Sequence, residues 1–390
     1  MTVVTIVGGG VLGTMHAWFA LERGHRVVQI ERDAEARSAS VRNFGLVWVS
    51  GRRDGDELVL ALRARELWGG VGARVAELGF RPHGSLTVAL DEVELGVMVE
   101  YAASAAATER DAVLLGPDAV RSVNPGVGGA VAGALHCRAD AIVEPRVAQP
   151  AIRSVMAATG RYGFVDRCHV VARDGTSVID HLGRTYEADV LVICPGAVHD
   201  GLAGEHLSTA PLRRCQLQMM QTAPLDVTLT TSIADVDSMR YYPAYEHVDL
   251  TPLGPQSAVA AAHRMQLLLV QRLDGSLTIG DTHRYDPDPD TDPHAGPDTD
   301  PPHTDPLPFD VDEDPYDHLA ARAEAILGRP LPRVQRRWSG VYSQLAPAAG
   351  DAVYHHAELD PGVVVVTGPG GRGMSLAPAI AERTWEDLAR

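Results

Sequence analysis

Short apolar runs bounded by glycine occur at both ends of the chain, with longer stretches of helical spacing between them. Val3, Val4, Ile6 and Val7 are enough for a buried parallel strand and too few for a helix. After a glycine turn, His16 to Arg23 reads as a helix ended by Gly24, and Val27, Val28 and Ile30 as a second strand. The run ADVLVICPGA at 188–197 and Val363 to Val366 have the same character. Apolar residues at Leu58, Leu62, Leu67, Val71, Val75 and Leu78 repeat at helical spacing over 55–79. Further helices are expected over 92–108, 117–123, 146–158 and 318–327, and strands over 85–90, 163–171 and 177–181.

The pattern changes over 212–285. Segments 216–221, 239–245, 266–272 and 276–281 read as strands with mixed faces, and Leu273-Asp274-Gly275-Ser276 is a hairpin signal. An antiparallel sheet forming a second domain follows from this. The segment 286–317 alternates proline and aspartate with almost no apolar side chains, so it cannot bury enough surface to offset its ordering and is expected to be an extended or disordered solvated insert.

Charge changes the picture only locally. The formal net charge is -17, but 286–317 holds 11 Asp, 1 Glu and no basic residue, which is 12 of those 17 charges. The remainder is mildly acidic, which disfavours a nucleic-acid partner. All 34 basic residues are Arg, so a lysine Schiff base is excluded. Four scattered cysteines, Cys137, Cys168, Cys194 and Cys215, form no C-x-x-C pair and are expected to be buried free thiols. The acidic insert lacks a D-x-D-x-D-G loop closed by Glu, so no metal site is expected. No apolar stretch reaches membrane-spanning length and the chain enters its first strand at once, so the expected location is the cytoplasm, without membrane insertion.

The candidate chemistry lies in the glycine turns. Gly8, Gly10 and Gly13 have G-x-G-x-x-G spacing directly after a strand and before a helix, and Glu31 ends the next strand, where a carboxylate accepts hydrogen bonds from an adenosine ribose. A second glycine loop, Gly368 to Gly373, leads into a helix expected to open at Ser375, another anion-favouring terminus. Two such sites at opposite ends of the chain point to one long dinucleotide held by both. The spacing alone does not separate FAD from NAD.

The stretches VTIVGGGVLG, SASVRNFGLVW, ADAIVEP, ADVLVICPGA and VVVVTGPGGRGMSLAPAIAE, in that order, resemble the flavoprotein family of D-amino acid oxidase, glycine oxidase and sarcosine oxidase. The resemblance implies an α/β fold: a Rossmann-like, glutathione-reductase-like FAD-binding domain at 1–84, 145–214 and 330–390, and a substrate domain with a mainly antiparallel sheet at 85–144 and 215–329. It implies FAD, held non-covalently by Gly8, Gly10, Gly13, Glu31, Arg32, Ser40, Asn43, Gly45, Leu46, Gly371, Arg372, Gly373 and Met374, with Val11, Leu12, Val170, Cys194 and Gly196 alongside. The implied reaction is oxidation of a C–N bond by hydride transfer to the flavin, giving an imine that hydrolyses to a carbonyl, with O2 or another acceptor taking the electrons.

Amino acid oxidases of this type carry an arginine shortly after a W-x-G for the substrate carboxylate, whereas Trp338-Ser339-Gly340 is followed by Val341 and Tyr342. SVRNFG, the Trp338 to Tyr342 stretch and GDTHRY at 280–285 resemble a bacterial subgroup associated with aminophosphonate breakdown, which implies 2-aminoethylphosphonate or an N-alkyl form as substrate. Candidates for the anion clamp are Arg42, Arg337 and Arg372, with Tyr241, Tyr242, His283 and Tyr342 as polar wall. The alternatives are a D-amino acid, glycine or sarcosine substrate, NAD-dependent dehydrogenation, and a non-catalytic protein carrying flavin as a structural or sensory ligand.

Overall fold

The computed structural model describes residues 1–286 and 307–389. Two sheets among these residues set the architecture. The first runs His355–Asp360, Val363–Thr367, Val190–Ile193, Val3–Val7, Arg26–Ile30, Tyr162–Val165. Its neighbours are parallel except at the His355–Asp360 edge. The Val11–Glu22 helix packs on this sheet between the helices Gly373–Asp387 and Pro145–Ala157. Every residue from Val11 to Leu21 is buried, so the helix has no polar face and begins five residues before the position expected from spacing.

The second sheet runs Arg284–Asp286, Leu212–Pro224, Ser276–Gly280, Leu268–Gln271, Ser232–Asp235, Ser85–Ala89, Gly133–Cys137, Ala112–Leu115, with Val334–Leu345 also paired to Leu212–Pro224. It is antiparallel apart from Ser232–Asp235 against Ser85–Ala89. The hairpin expected at 273–276 joins Leu268–Gln271 to Ser276–Gly280. Pairing of Val334–Leu345 with Leu212 to Thr222 puts the start of the segment 330–390 in the second sheet rather than with the dinucleotide-binding strands.

Five local readings need correction. The segment 239–245 is not a strand but the helical turn Ser238–Tyr241 followed by a 3-10 turn Pro243–Tyr245, because Pro243 has no N–H to give a central ladder. The run 163–171 is two strands, Tyr162–Val165 and Val170–Asp174, in different sheets, interrupted where Arg167 takes a φ of 49°. The stretch 92–108 is also two elements: Ser104 Oγ accepts from Ala107 N–H and starts a separate helix, Ala105–Glu109. The last helix before the return to the second sheet spans Asp314–Leu327, with Pro315 and two acids in its first turn, so 314–317 are not part of the insert. Residues 287–306 of the insert lie outside the described residues. The final helix starts at Gly373, two residues before Ser375.

Between the sheets, the loop after the second strand carries Phe44, Leu46 and Trp48 into an apolar cluster with Cys215, Leu217, Met219, Leu268 and Tyr342 of the second sheet. All four cysteines are buried and free. No helix among the described residues is long and apolar enough to cross a membrane.

Candidate active site

The glycine turn is shaped by close backbone approach. A Cβ on Gly8 would stand 2.3 Å from the carbonyl oxygen of Cys194, and one on Gly13 would stand 2.1 Å from that of Gly8. Gly8 also has a φ of 118°, which L side chains rarely adopt. The following helix has no side-chain cap on Gly10. Val11 N–H donates to Ser40 Oγ at 2.9 Å and Thr14 N–H to the Gly10 carbonyl at 2.9 Å. Leu12 and Gly13 N–H find no acceptor among the described residues and line a cavity of about 1890 Å³. Orphan N–H groups at a helix N-terminus, with no room for a Cβ around them, fit a pyrophosphate. Glu31 accepts from Gly9 N–H at 2.6 Å and Asp33 N–H at 3.0 Å, which fixes its carboxylate at the cavity wall.

From the other end of the chain, Gly371, Arg372, Gly373 and Met374 line the same cavity, and the helix they open also lacks a side-chain cap. Ser375 ties this end to the loop after the second strand: its Oγ accepts from Trp48 N–H at 2.8 Å and donates to the Leu46 carbonyl at 2.9 Å. The cavity is larger than the roughly 300–1,000 Å³ of a site for one small ligand. Two orphan helix termini facing one long cavity fit an FAD with space left for a substrate.

The wall beyond the loop is charged. Glu57 accepts from Arg52 Nη1 at 3.4 Å and pairs with Arg372 Nη1 at 3.1 Å, so one buried carboxylate holds two guanidiniums. Burial lowers the pKa of Arg372 and the neighbouring Glu57 charge opposes that shift. Arg52 also donates from Nε to the Trp48 carbonyl at 2.9 Å and lies 5.6 Å from the centre of the Tyr242 ring. Asp140 fixes the turn that carries Arg52. It accepts from Val49 N–H (2.5 Å), Ser50 N–H (3.0 Å), Ser50 Oγ (2.7 Å) and Ser85 Oγ (2.6 Å).

Past Tyr242 the wall becomes aromatic and rich in acceptors. Tyr241 meets Tyr242 edge to face at 5.0 Å and stacks on His283 at 4.2 Å. His283 donates from Nδ1 to the Arg264 carbonyl at 2.9 Å, because a carbonyl only accepts, and Nε2 is left 3.8 Å from Asp281 Oδ2. Gln266 pairs backbone to backbone with Asp281 and donates to Tyr242 Oη at 3.4 Å. Asp281 Oδ1, Gln266 Oε1 and Trp48 Nε1 are buried without a partner among the described residues. Burial holds Asp281 above the usual carboxylate range and keeps Tyr241, Tyr242 and Tyr342 protonated.

The structure brings most of the sequence-derived residues to this one cavity. Arg32, Asn43, Leu46, Val170, Cys194 and Gly196 line it, as do Arg42, Tyr241, Tyr242, His283, Tyr342 and Arg372. Two residues stand apart. Gly45 packs against the Val143 carbonyl, 2.0 Å from where its Cβ would be, and shapes the loop from behind. Arg337 lies outside the cavity on a separate groove and pairs with Glu313 at 3.2 Å. Arg42 donates from Nη1 to the Ser339 carbonyl at 2.8 Å and lines both spaces. Sequence reasoning misses Trp48, Arg52, Glu57, Gln266 and Asp281. Trp48 lies inside SASVRNFGLVW and Asp281 inside GDTHRY, but neither residue type nor spacing marks them.

The profile of the DAO family, described as FAD dependent oxidoreductase, matches residues 4–386. Over 154 residues the chain is 30% identical to one of the opine oxidase subunits of Rhizobium meliloti, a stretch that is 35% of this chain and covers only 40% of that protein. Among solved structures, glycine oxidase from Bacillus cereus ATCC 14579 superposes with a TM-score of 0.75 at 19% identity, over 100% of this chain and 95% of that one. L-proline dehydrogenase from P. horikoshii gives 0.71 at 16%, over 98% and 91%. At these identities the structural likeness establishes the fold.

Proposed function

The chain belongs to the DAO family of FAD-dependent oxidoreductases, and from that premise we propose that it oxidises a C–N bond of a small amine with an anionic tail, the preferred class being 2-aminoethylphosphonate and its N-alkyl forms. The observation that carries this reading is the pair of guanidiniums, Arg52 and Arg372, gathered on Glu57 in the cavity wall. Two arginines against one carboxylate leave a net positive charge in a buried place, and arginine does not relieve it by losing a proton. An anionic group on the substrate does. A tetrahedral phosphonate offers three acceptor oxygens and up to two negative charges to the two guanidiniums, against two oxygens and one charge for a carboxylate. Tyr342, standing where amino acid oxidases have their carboxylate arginine, supports the same choice.

FAD, when bound, supplies the two-electron oxidising chemistry. The chain's own residues orient the substrate: Arg52 and Arg372 hold the anionic tail, and the ring faces of Tyr241, Tyr242 and Trp48 exclude water around the amine. The electron acceptor in this reading is O2 or another oxidant, and the location is the cytoplasm. A second reading, an amino-acid or opine-type substrate with carboxylate tails, is favoured by the 30% identity to the opine oxidase relative.

Anaerobic titration of the flavin-loaded protein decides between them. Bleaching of the flavin band by 2-aminoethylphosphonate or its N-methyl form, and not by glycine, sarcosine or D-alanine, is the expected result. Bleaching by the carboxylates alone establishes the second reading, and a flavin that no amine reduces indicates a non-catalytic flavoprotein.

A further inference from the structure

We infer that Asp281, with Gln266 and His283, forms the subsite for the substrate's ammonium group, and that Asp281 removes the nitrogen's proton before the C–N bond is oxidised. This rests on the amine-oxidation reading above and states in which protonation state the cavity receives its substrate. Oxidation by hydride transfer demands little acid-base machinery, yet the cavity wall holds a surplus of acceptors. Asp281 Oδ1 and Gln266 Oε1 are buried and unpartnered among the described residues. His283 has committed its Nδ1–H to a carbonyl, and its Nε2 faces Asp281 Oδ2 at 3.8 Å. Buried acceptors without donors are costly, and a protonated primary or secondary amine brings two or three N–H groups to them.

Among the described groups facing Asp281, only His283 can carry a positive charge, and its Nε2 stands 3.8 Å from Oδ2, beyond hydrogen-bond reach. The strand segment of Asp281 itself contributes His283, the turn at 238–242 contributes Tyr241 and Tyr242, and the Leu212–Pro224 strand contributes Cys215. Burial pushes the tyrosines and the thiol upward, the Cys215 thiol to about 12, so these three stay neutral. A cationic ligand brings to Asp281 Oδ1 and Gln266 Oε1 the donors, and with them the charge, that they lack at hydrogen-bond distance. Once it is bound, the ammonium N–H bond breaks and an O–H bond forms at Asp281 Oδ1, so that an ammonium and a carboxylate become a neutral amine and a neutral carboxyl. No other reactant is consumed. Two neutral groups suit a dry pocket better than two charges, and the nitrogen lone pair is freed to expel hydride from the adjacent carbon. A quaternary ammonium has no proton to give and is excluded as a substrate.

The test is the rate of anaerobic flavin reduction as a function of pH, with N-methyl-2-aminoethylphosphonate and sarcosine, on the FAD-loaded protein. In the wild type the rate should rise with pH along a limb lying well below the amine's own pKa of about 10. Asp281→Asn keeps the shape but cannot take the proton. Reduction should be slower by roughly 10²- to 10⁴-fold near pH 7 and recover to within about threefold as pH approaches the amine's pKa. A wild-type limb at the amine's own pKa, or an Asp281→Asn profile matching wild type within about threefold, overturns the inference while leaving amine oxidation intact. If neither amine bleaches the wild-type flavin, both readings fall. The wild-type limb decides even if the variant does not fold.

Discussion

At the residue scale, the site turns on which of two adjacent arginines is buried. Arg52 and Arg53 are the same residue type side by side, yet the Arg52 side chain is 5% exposed and that of Arg53 42%. Arg52 donates to the Trp48 carbonyl and pairs with Glu57, whereas Arg53 reaches out to Asp351. Asp140, about ninety positions away, pins Val49 and Ser50 with its carboxylate and so braces the turn that carries Arg52. The stretch ADAIVEP is legible as a motif, but its aspartate is a brace for the opposite loop, a role no spacing reveals. Arg52→Met leaves Glu57 paired with Arg372 at 3.1 Å, so the protein should fold and retain FAD. For an anionic amine, kcat/KM should fall at least about 30-fold, roughly 2 kcal/mol for a lost hydrogen bond to a charged group. Most of that loss should appear in KM, with an amine that lacks the anionic tail, such as N-methylpropylamine, little affected. Steady-state kinetics on the two amines would settle it, since an equal loss for both would make Arg52 a structural residue.

At the scale of elements, the sequence is most readable where geometry leaves one residue type. The turn after the first strand allows no Cβ at Gly8 or Gly13, so glycine there is a direct report of the fold. Gly13→Val drives a branched side chain against the Gly8 carbonyl, 2.1 Å from where the Cβ must lie, and the helix has to lift from its strand. FAD affinity should drop at least about tenfold, or ~1.4 kcal/mol, read as the flavin absorbance retained per mole of protein after gel filtration. Full retention with an unchanged far-ultraviolet spectrum would move the pyrophosphate elsewhere. Elements without such a constraint are easily misread. The Met239 to Tyr245 run has strand-forming tyrosines, but Pro243 and the placing of Tyr241, Tyr242 and Tyr245 along the cavity wall go with helical turns. The start of the Val11–Glu22 helix is hidden because it is apolar on every side, and periodicity has nothing to report in a helix with no solvent face.

At the scale of the whole molecule, the two glycine loops at opposite ends of the chain correctly predict one cavity served by both termini, whereas the strand Val334–Leu345 cannot be assigned to a sheet from composition, because its pairing partner lies more than a hundred residues earlier. The same convergence of termini buries His16, and this makes the cofactor-binding body sensitive to acid. His16 is fully buried, donates from Nδ1 to the Leu12 carbonyl at 2.7 Å, and its backbone carbonyl accepts from Trp385 Nε1 of the C-terminal helix at 3.0 Å. Its Nε2 has no acceptor among the described residues. Burial therefore lowers its pKa from 6.5 to about 4. For a base depressed in the folded state, the unfolded chain binds the proton first. The stabilisation is complete above pH 6.5, is lost as pH falls toward 4, and changes no further below that. The window corresponds to about 3 kcal/mol. Urea unfolding at pH 7 and at pH 4 should show wild type losing about 3 kcal/mol more than His16→Leu, which keeps an apolar side chain and carries no titrating group. Since this helix also carries the dinucleotide turn, release of FAD should follow the same acid transition and shift to lower pH in the variant. Equal losses in the two proteins would place the acid sensitivity in the carboxylates instead of in His16.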